Sequence, residues 1–214
     1  MLRSLKTFLA RAPRVSLALI LFATHFAGPA AAQGAAEYER RELTIPMRDG
    51  VTLFAIALIP KGVTAPLPII LIRTPFSAAR EFATTTLPIF LRELGEDGYI
   101  FVTEDIRGRF GSKGTFESLR PQRDLRDSLA VDESTDAWDT IDWLIRELPN
   151  NSRKVGVLGV SYRGWLAAVA GAGAHPALKA ISPQAPVADA WLGDDFFHQG
   201  AFRQTQGVAY AAFI

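Results

Sequence analysis

The 214-residue chain predicts an α/β domain built on a mainly parallel sheet. Three observations carry that expectation. Short apolar runs at 68–72, 99–102 and 155–160 are flanked by turn residues, as strands buried on both faces are. Helical periodicity lies between them, most clearly in Trp138, Ile141, Ile145 and Leu148. A glycine-flanked serine, Gly159-Val160-Ser161-Tyr162-Arg163-Gly164, separates the last run from an Ala-rich apolar helix.

In chain order, Arg3, Lys6, Arg11 and Arg14 precede an apolar run over 15–28, with Pro29 and then Ala30-Ala31-Ala32-Gln33 after it. This order of basic, apolar and small residues predicts a signal peptide over 1–32, cleaved after Ala32, and a domain over 33–214. The protein is then exported, periplasmic or secreted, with no membrane attachment after cleavage. An uncleaved anchor is the alternative, against which the short apolar stretch argues. Next, 41–46 and 51–58 flank Met47-Arg48-Asp49-Gly50, where Asp-Gly suits a tight hairpin turn. Pro88 can open a helix through Ile89, Phe90, Leu91 and Leu94, with Gly95 as its stop. A second helix starts near Asp132-Glu133-Ser134, where acids favour the positive end of the dipole, and ends at Pro149. The polar stretch 111–132 reads as a solvated excursion.

Composition narrows the chemistry. With 49% hydrophobic residues and a net charge of +1, the chain can bury a core and carries no basic stripe for nucleic acid. Zero cysteines exclude disulfides, thiolate-held zinc and a thiol nucleophile. There is no P-loop, dinucleotide fingerprint or His-Glu-x-x-His metal motif. Arg107-Gly108-Arg109 with Gly111 and Gly114, which could bind phosphate as a loop nest, reads rather as a structural loop, so no cofactor or metal is expected. Strand, glycine-flanked serine and helix together read as a nucleophile elbow, with Ser161 as nucleophile and the Tyr162 backbone N–H as oxyanion donor. An ordinary strand-to-helix turn with a serine cap is the plainer reading.

Gly-x-Ser-Tyr-x-Gly resembles the serine hydrolases of the Xaa-Pro dipeptidyl-peptidase and cocaine-esterase superfamily, which share the α/β-hydrolase fold. Met47-Arg48-Asp49-Gly50-Val51, Arg73-Thr74-Pro75-Phe76, Asp105-Ile106-Arg107-Gly108-Arg109-Phe110-Gly111-Ser112 and His175-Pro176-Ala177-Leu178-Lys179 extend the likeness. Trp191-Leu192-Gly193-Asp194-Asp195-Phe196-Phe197 and Gly200-Ala201-Phe202-Arg203 are similar to α-amino-acid ester hydrolases that act on β-lactam antibiotics. The resemblance implies a hydrolase of esters or amides of small acyl groups, working through an acyl-enzyme on Ser161. It also implies that Asp195 holds a substrate α-ammonium group, with Trp191 and Phe76 at the pocket wall. Relatives place an oxyanion-donating tyrosine where this chain has Phe76. Loss of one such donor typically costs roughly 10² to 10³ in turnover.

Triads of this fold run serine, acid, histidine, the last two on loops after later strands. After Ser161 come only His175, in an Ala-His-Pro turn, and His198, spaced to share a helical face with Asp195. The sequence therefore leads one to expect a chain that stops before the acid and histidine, its apolar end at 208–214 left uncovered and its own activity nearly nil. The alternatives are an inactive fragment that at most binds a ligand or partner, and a peptidase of the Xaa-Pro type.

Overall fold

The computed structural model describes residues 37–189, 193 and 195–213. The expected signal peptide, Trp191 and Asp194 lie outside the described residues. A six-stranded sheet organises the domain in the order β1-β2-β4-β3-β5-β6. Its strands are β1 (Tyr38–Pro46), β2 (Thr52–Pro60), β3 (Leu67–Thr74), β4 (Ile100–Asp105), β5 (Asn151–Val160) and β6 (Leu178–Gln184). The hairpin β1–β2 and the pair β2–β4 are antiparallel, whereas β4, β3, β5 and β6 run parallel. This is the α/β arrangement expected from alternating strands and helices.

Alternation along the strands builds two apolar layers. Ala55, Ala57, Ile69, Leu71, Ile100 and Val102 face one cluster, completed by Ala137, Ile141, Leu144, Ile145 and Leu148 of α3 (Glu133–Glu147). Ile56, Leu58, Ile72 and Phe101 face the other, covered by Phe82, Leu87 and Leu91. The second layer is closed by the short α1 (Ala78–Glu81), a 3₁₀ turn at Ile89–Leu91 and α2 (Arg92–Glu96). No helix of the described residues is long and apolar enough to cross a membrane.

Local chemistry explains the elements that were anticipated. Gly50 turns at φ 82°, and the Met47 and Gly50 N–H groups close the hairpin on Val51 O and Met47 O. Asp132 caps α3 by accepting from the Ser134 and Thr135 N–H groups, while Thr135 Oγ1 accepts from the Asp132 N–H.

Three expectations need correction, and one strand was not anticipated. Trp138 is only partly buried and leaves the core stripe to Ala137 and Leu144; its ring meets His175 at 4.6 Å and the Arg48 guanidinium at 5.6 Å instead. Gly95 lies inside α2, where Leu87 and Tyr38 crowd the position a side chain would take, and the helix stops at Asp97. β6 follows the elbow helix α4 (Tyr162–Ala170) although Leu-Lys-Ala-Ile-Ser-Pro-Gln has no clear strand pattern. Asp195 and His198 do not share a helix, because β7 (Phe197–His198) and β8 (Ala201–Phe202) form a hairpin turned by Gln199 and Gly200 at φ 49° and 82°. The last described element is α5 (Gln204–Phe213).

Candidate active site

Ser161 stands at the carboxyl end of β5, where ligands gather in sheets of this kind. It is exposed, at φ 60° and ψ −122°, and its side chain makes no capping bond to α4. A non-glycine residue in that region stores strain of about 1–3 kcal/mol, held here by backbone bonds on both sides. The Ser161 N–H donates to Gln184 O of β6, and Ser161 O accepts from the Trp165 N–H. The flanking glycines are required by contact rather than flexibility. A Cβ on Gly159 would stand 2.1 Å from Arg163 O, and one on Gly164 would stand 2.4 Å from Gln184 O. Helix and strand thus approach backbone to backbone, which lifts the serine clear of the sheet and aims the amino end of α4 at it.

Around this turn lies a small cluster of Ile106, Tyr162 and Leu166, joined by Phe76, Phe116, Leu119, Trp165 and Tyr210. The Tyr162 side chain is buried, and its hydroxyl accepts from the Leu119 N–H at 2.8 Å, so it anchors the excursion after β4. Burial pushes its phenol up. Phe76 packs edge-on against Tyr162 at 6.3 Å and meets Phe213 of α5 at 5.6 Å. Its own N–H is turned to Thr74 Oγ1, 3.1 Å away. Ser161, Tyr162 and Phe76 are therefore brought together.

Asp195 is reached only indirectly. Burial first, then the charges of Tyr162 and Asp195, push the Tyr210 phenol up, with Arg109 opposing, so Asp195 lies within electrostatic range of the same cluster. The histidines serve other ends. His175 is buried, its Nδ1 accepts from the Ala177 N–H at 3.0 Å, and its Nε2 sits 3.4 Å from Asp142 on α3. His198 is exposed on β7. One groove of the domain, about 410 Å³, runs past Ile72, Phe90, Leu158 and Ile181 and is not lined by Ser161. We place the candidate site at the exposed turn of Ser161 rather than in that groove.

Several participants were not anticipated. Arg163 Nη1 donates to Glu81 Oε1 at 2.5 Å, tying the elbow to the helix that follows Phe76. Burial pushes the Glu81 carboxyl up and Arg163 opposes it. Asp105 accepts from the Ala78 and Gly111 N–H groups, and Arg109 Nε donates to Pro75 O, so the loop after β4 buttresses the Phe76 loop from two points. The Asp-x-Arg-Gly motif marked this loop in the sequence. Nothing local marked Tyr210 or Glu81.

A family model described as X-Pro dipeptidyl-peptidase (S15 family) matches residues 49–213. Cocaine esterase from Rhodococcus sp. (strain MB1 Bresler) is 35% identical over 173 residues, which are 79% of this chain and 27% of that protein. An aminopeptidase from the marine sediment archaeon Thaumarchaeota archaeon superposes with a TM-score of 0.77 at 42% identity, over 83% of this chain and 30% of that one. An α-amino acid ester hydrolase gives 0.72 at 42% identity, over 85% and 31%. The chain spans less than a third of the length of each of these relatives. The fold, the elbow and the matched span agree, and the chain belongs to the X-Pro dipeptidyl-peptidase (S15) family.

Proposed function

We propose that the protein is a serine hydrolase of esters or amides of small acyl groups, α-amino acyl groups among them, acting through an acyl-enzyme on Ser161. The single observation that carries this reading is the exposed, strained Ser161 between two glycines that only backbone contact can explain. Its hydroxyl attacks the acyl carbon, and the Tyr162 N–H at the start of α4 donates to the developing oxyanion. Asp195 supplies the fixed negative charge that an α-ammonium group needs, and Phe76 forms an apolar wall. The base that accepts the Ser161 proton is not His175, whose two nitrogens face Ala177 and Asp142. We further propose the export of the domain after cleavage at Ala32.

The test is acylation by an activated ester such as α-phenylglycine p-nitrophenyl ester, followed by peptide mapping. One acyl group on Ser161, absent from Ser161→Ala, is the expected result. An adduct elsewhere, or equal hydrolysis by the variant, overturns the assignment. In a complete enzyme, with the catalytic acid and histidine in place, Phe76→Tyr should raise turnover by roughly 10² if a second oxyanion donor is what the site lacks. Unchanged kcat discards that part.

A peptidase reading is favoured by one finding, the 0.77 superposition on an aminopeptidase. Both readings use the same acyl-enzyme, and turnover of a dipeptide compared with the matching ester separates them.

A further inference from the structure

Arg163 follows Ser161 by two positions and reaches out of the elbow to another part of the fold. Its Nη1 donates to Glu81 Oε1 at 2.5 Å, and its guanidinium lies 5.9 Å from the Phe90 ring. Both side chains are largely shielded, with 25% of Arg163 and 11% of Glu81 exposed. Glu81 ends α1, and α1 is moored to the sheet at both of its ends. The Ala78 N–H donates to Asp105 Oδ1 of β4, and Phe82 O, just past the helix, accepts from Arg40 Nε of β1. Glu81 is therefore an anchor point set by β4 and β1, independently of β5 and α4.

The elbow has use for an anchor on that side. On the other side β6 holds it by backbone, through the Ser161 N–H bond to Gln184 O and the close approach of Gly164 to the same oxygen. That strand is the edge of the sheet and is mostly exposed. Burial pushes the Glu81 carboxyl up against the opposing pull of Arg163, so desolvation outweighs attraction and the pair is a poor source of stability. What a shielded pair of this kind supplies is register. We propose that Arg163 and Glu81 are positioning residues, which hold the Ser161 hydroxyl and the Tyr162 N–H at a fixed spacing from the Phe76 loop. Phe76 leads through Ser77, the cap of α1, into the helix that carries Glu81, so the tie sets one wall of the site against the other. This deepens the acyl-enzyme reading and rests on it.

A double-mutant cycle on the full chain tests it. The rate constant for acylation of Ser161 by α-phenylglycine p-nitrophenyl ester is measured in Glu81→Gln, Arg163→Gln and the double variant, beside their urea unfolding midpoints. Each single variant is expected to acylate roughly tenfold to a hundredfold more slowly, the effect of a misplacement of about 1 Å, and the double variant no more slowly than either. Arg163→Lys, which keeps the charge without the planar fork, recovers part of the rate. A lowered midpoint with unchanged acylation makes the pair structural support and overturns the proposal. So do losses that multiply in the double variant, because the two residues then act separately. If the unmodified chain is not acylated at Ser161, the acyl-enzyme reading fails, and hydrogen exchange decides the pair by itself. Faster exchange of the Ser161 and Trp165 N–H groups in Glu81→Gln upholds the tie, and unchanged exchange overturns it. Should Arg163→Gln not fold, Glu81→Gln and Arg163→Lys carry the same comparison.

Discussion

The turns that follow β4 and β5 lie on either side of β3 and are held by opposite means. After β4, side chains do the holding. Asp105 accepts from two backbone N–H groups, Ser112 Oγ donates to Asp105 O and accepts from the Phe54 N–H, and Arg107 bridges Asp49 of the hairpin turn and Asp136 of α3. After β5, the Ser161 side chain makes no capping bond, and the turn is kept by two backbone bonds and two close glycine approaches, with the Arg163–Glu81 pair bracing the elbow from outside. The difference has a use. A turn fixed by its own side chains has none to offer a substrate, whereas one fixed by backbone contact leaves the serine hydroxyl free. Buttressing by the first turn, through Ala78 and Pro75, lets the second be minimal.

The largest test removes the polar support. Arg107→Met leaves Asp136 buried without its partner and should lower unfolding free energy by about 3–5 kcal/mol in urea titration. A loss below about 1 kcal/mol shows that the first turn does not depend on that bridge. Next is contact at the second turn. Gly164→Ala puts a methyl against Gln184 O and should cost about 1–3 kcal/mol, with lower thermal midpoint and slower acylation of Ser161 together. Loss of stability without any change at Ser161 would separate packing from placement of the hydroxyl.

A pH series probes the buried pair beside Asp105. Burial pushes the Glu104 carboxyl up to about 7, against the Arg73 guanidinium and the Thr140 hydroxyl that favour its ionised form. The folded state therefore holds a proton that the unfolded chain releases. The contribution of Glu104 to stability is fullest below the ordinary carboxylate range and falls as pH rises toward 7, by at most about 1.4 kcal/mol per pH unit. Glu104→Gln should flatten that window, and an unchanged slope assigns the proton elsewhere. The smallest effect concerns strain. Ser161→Gly relieves a positive φ and should stabilise by about 1 kcal/mol, whereas Ser161→Ala, keeping its Cβ, should change little. Equal effects of the two would deny the strain.

How much was legible follows from range. The hairpin turn at Gly50, the Asp132 cap and the glycines around Ser161 act within a few residues, so their chemistry is written consecutively. Trp138 misled because its spacing matches the apolar stripe, yet a neighbouring Arg48 and the His175 turn offer its ring a surface outside the core. Arg109 reads as part of a structural loop, which it is through its bond to Pro75, a partner 34 positions away that no local pattern marks.

By itself, the sequence determined the α/β class, the strand–serine–helix turn and the family, because period, caps and turn residues are local properties of the backbone. Only the tertiary structure decided that Arg163 meets Glu81 across 82 positions, that Glu104 is sealed beside Arg73, and that Tyr210 joins Phe76 and Tyr162 in one cluster. Those meetings depend on how parallel strands stack and which loops then share an end of the sheet, a geometry that no short stretch of residues encodes.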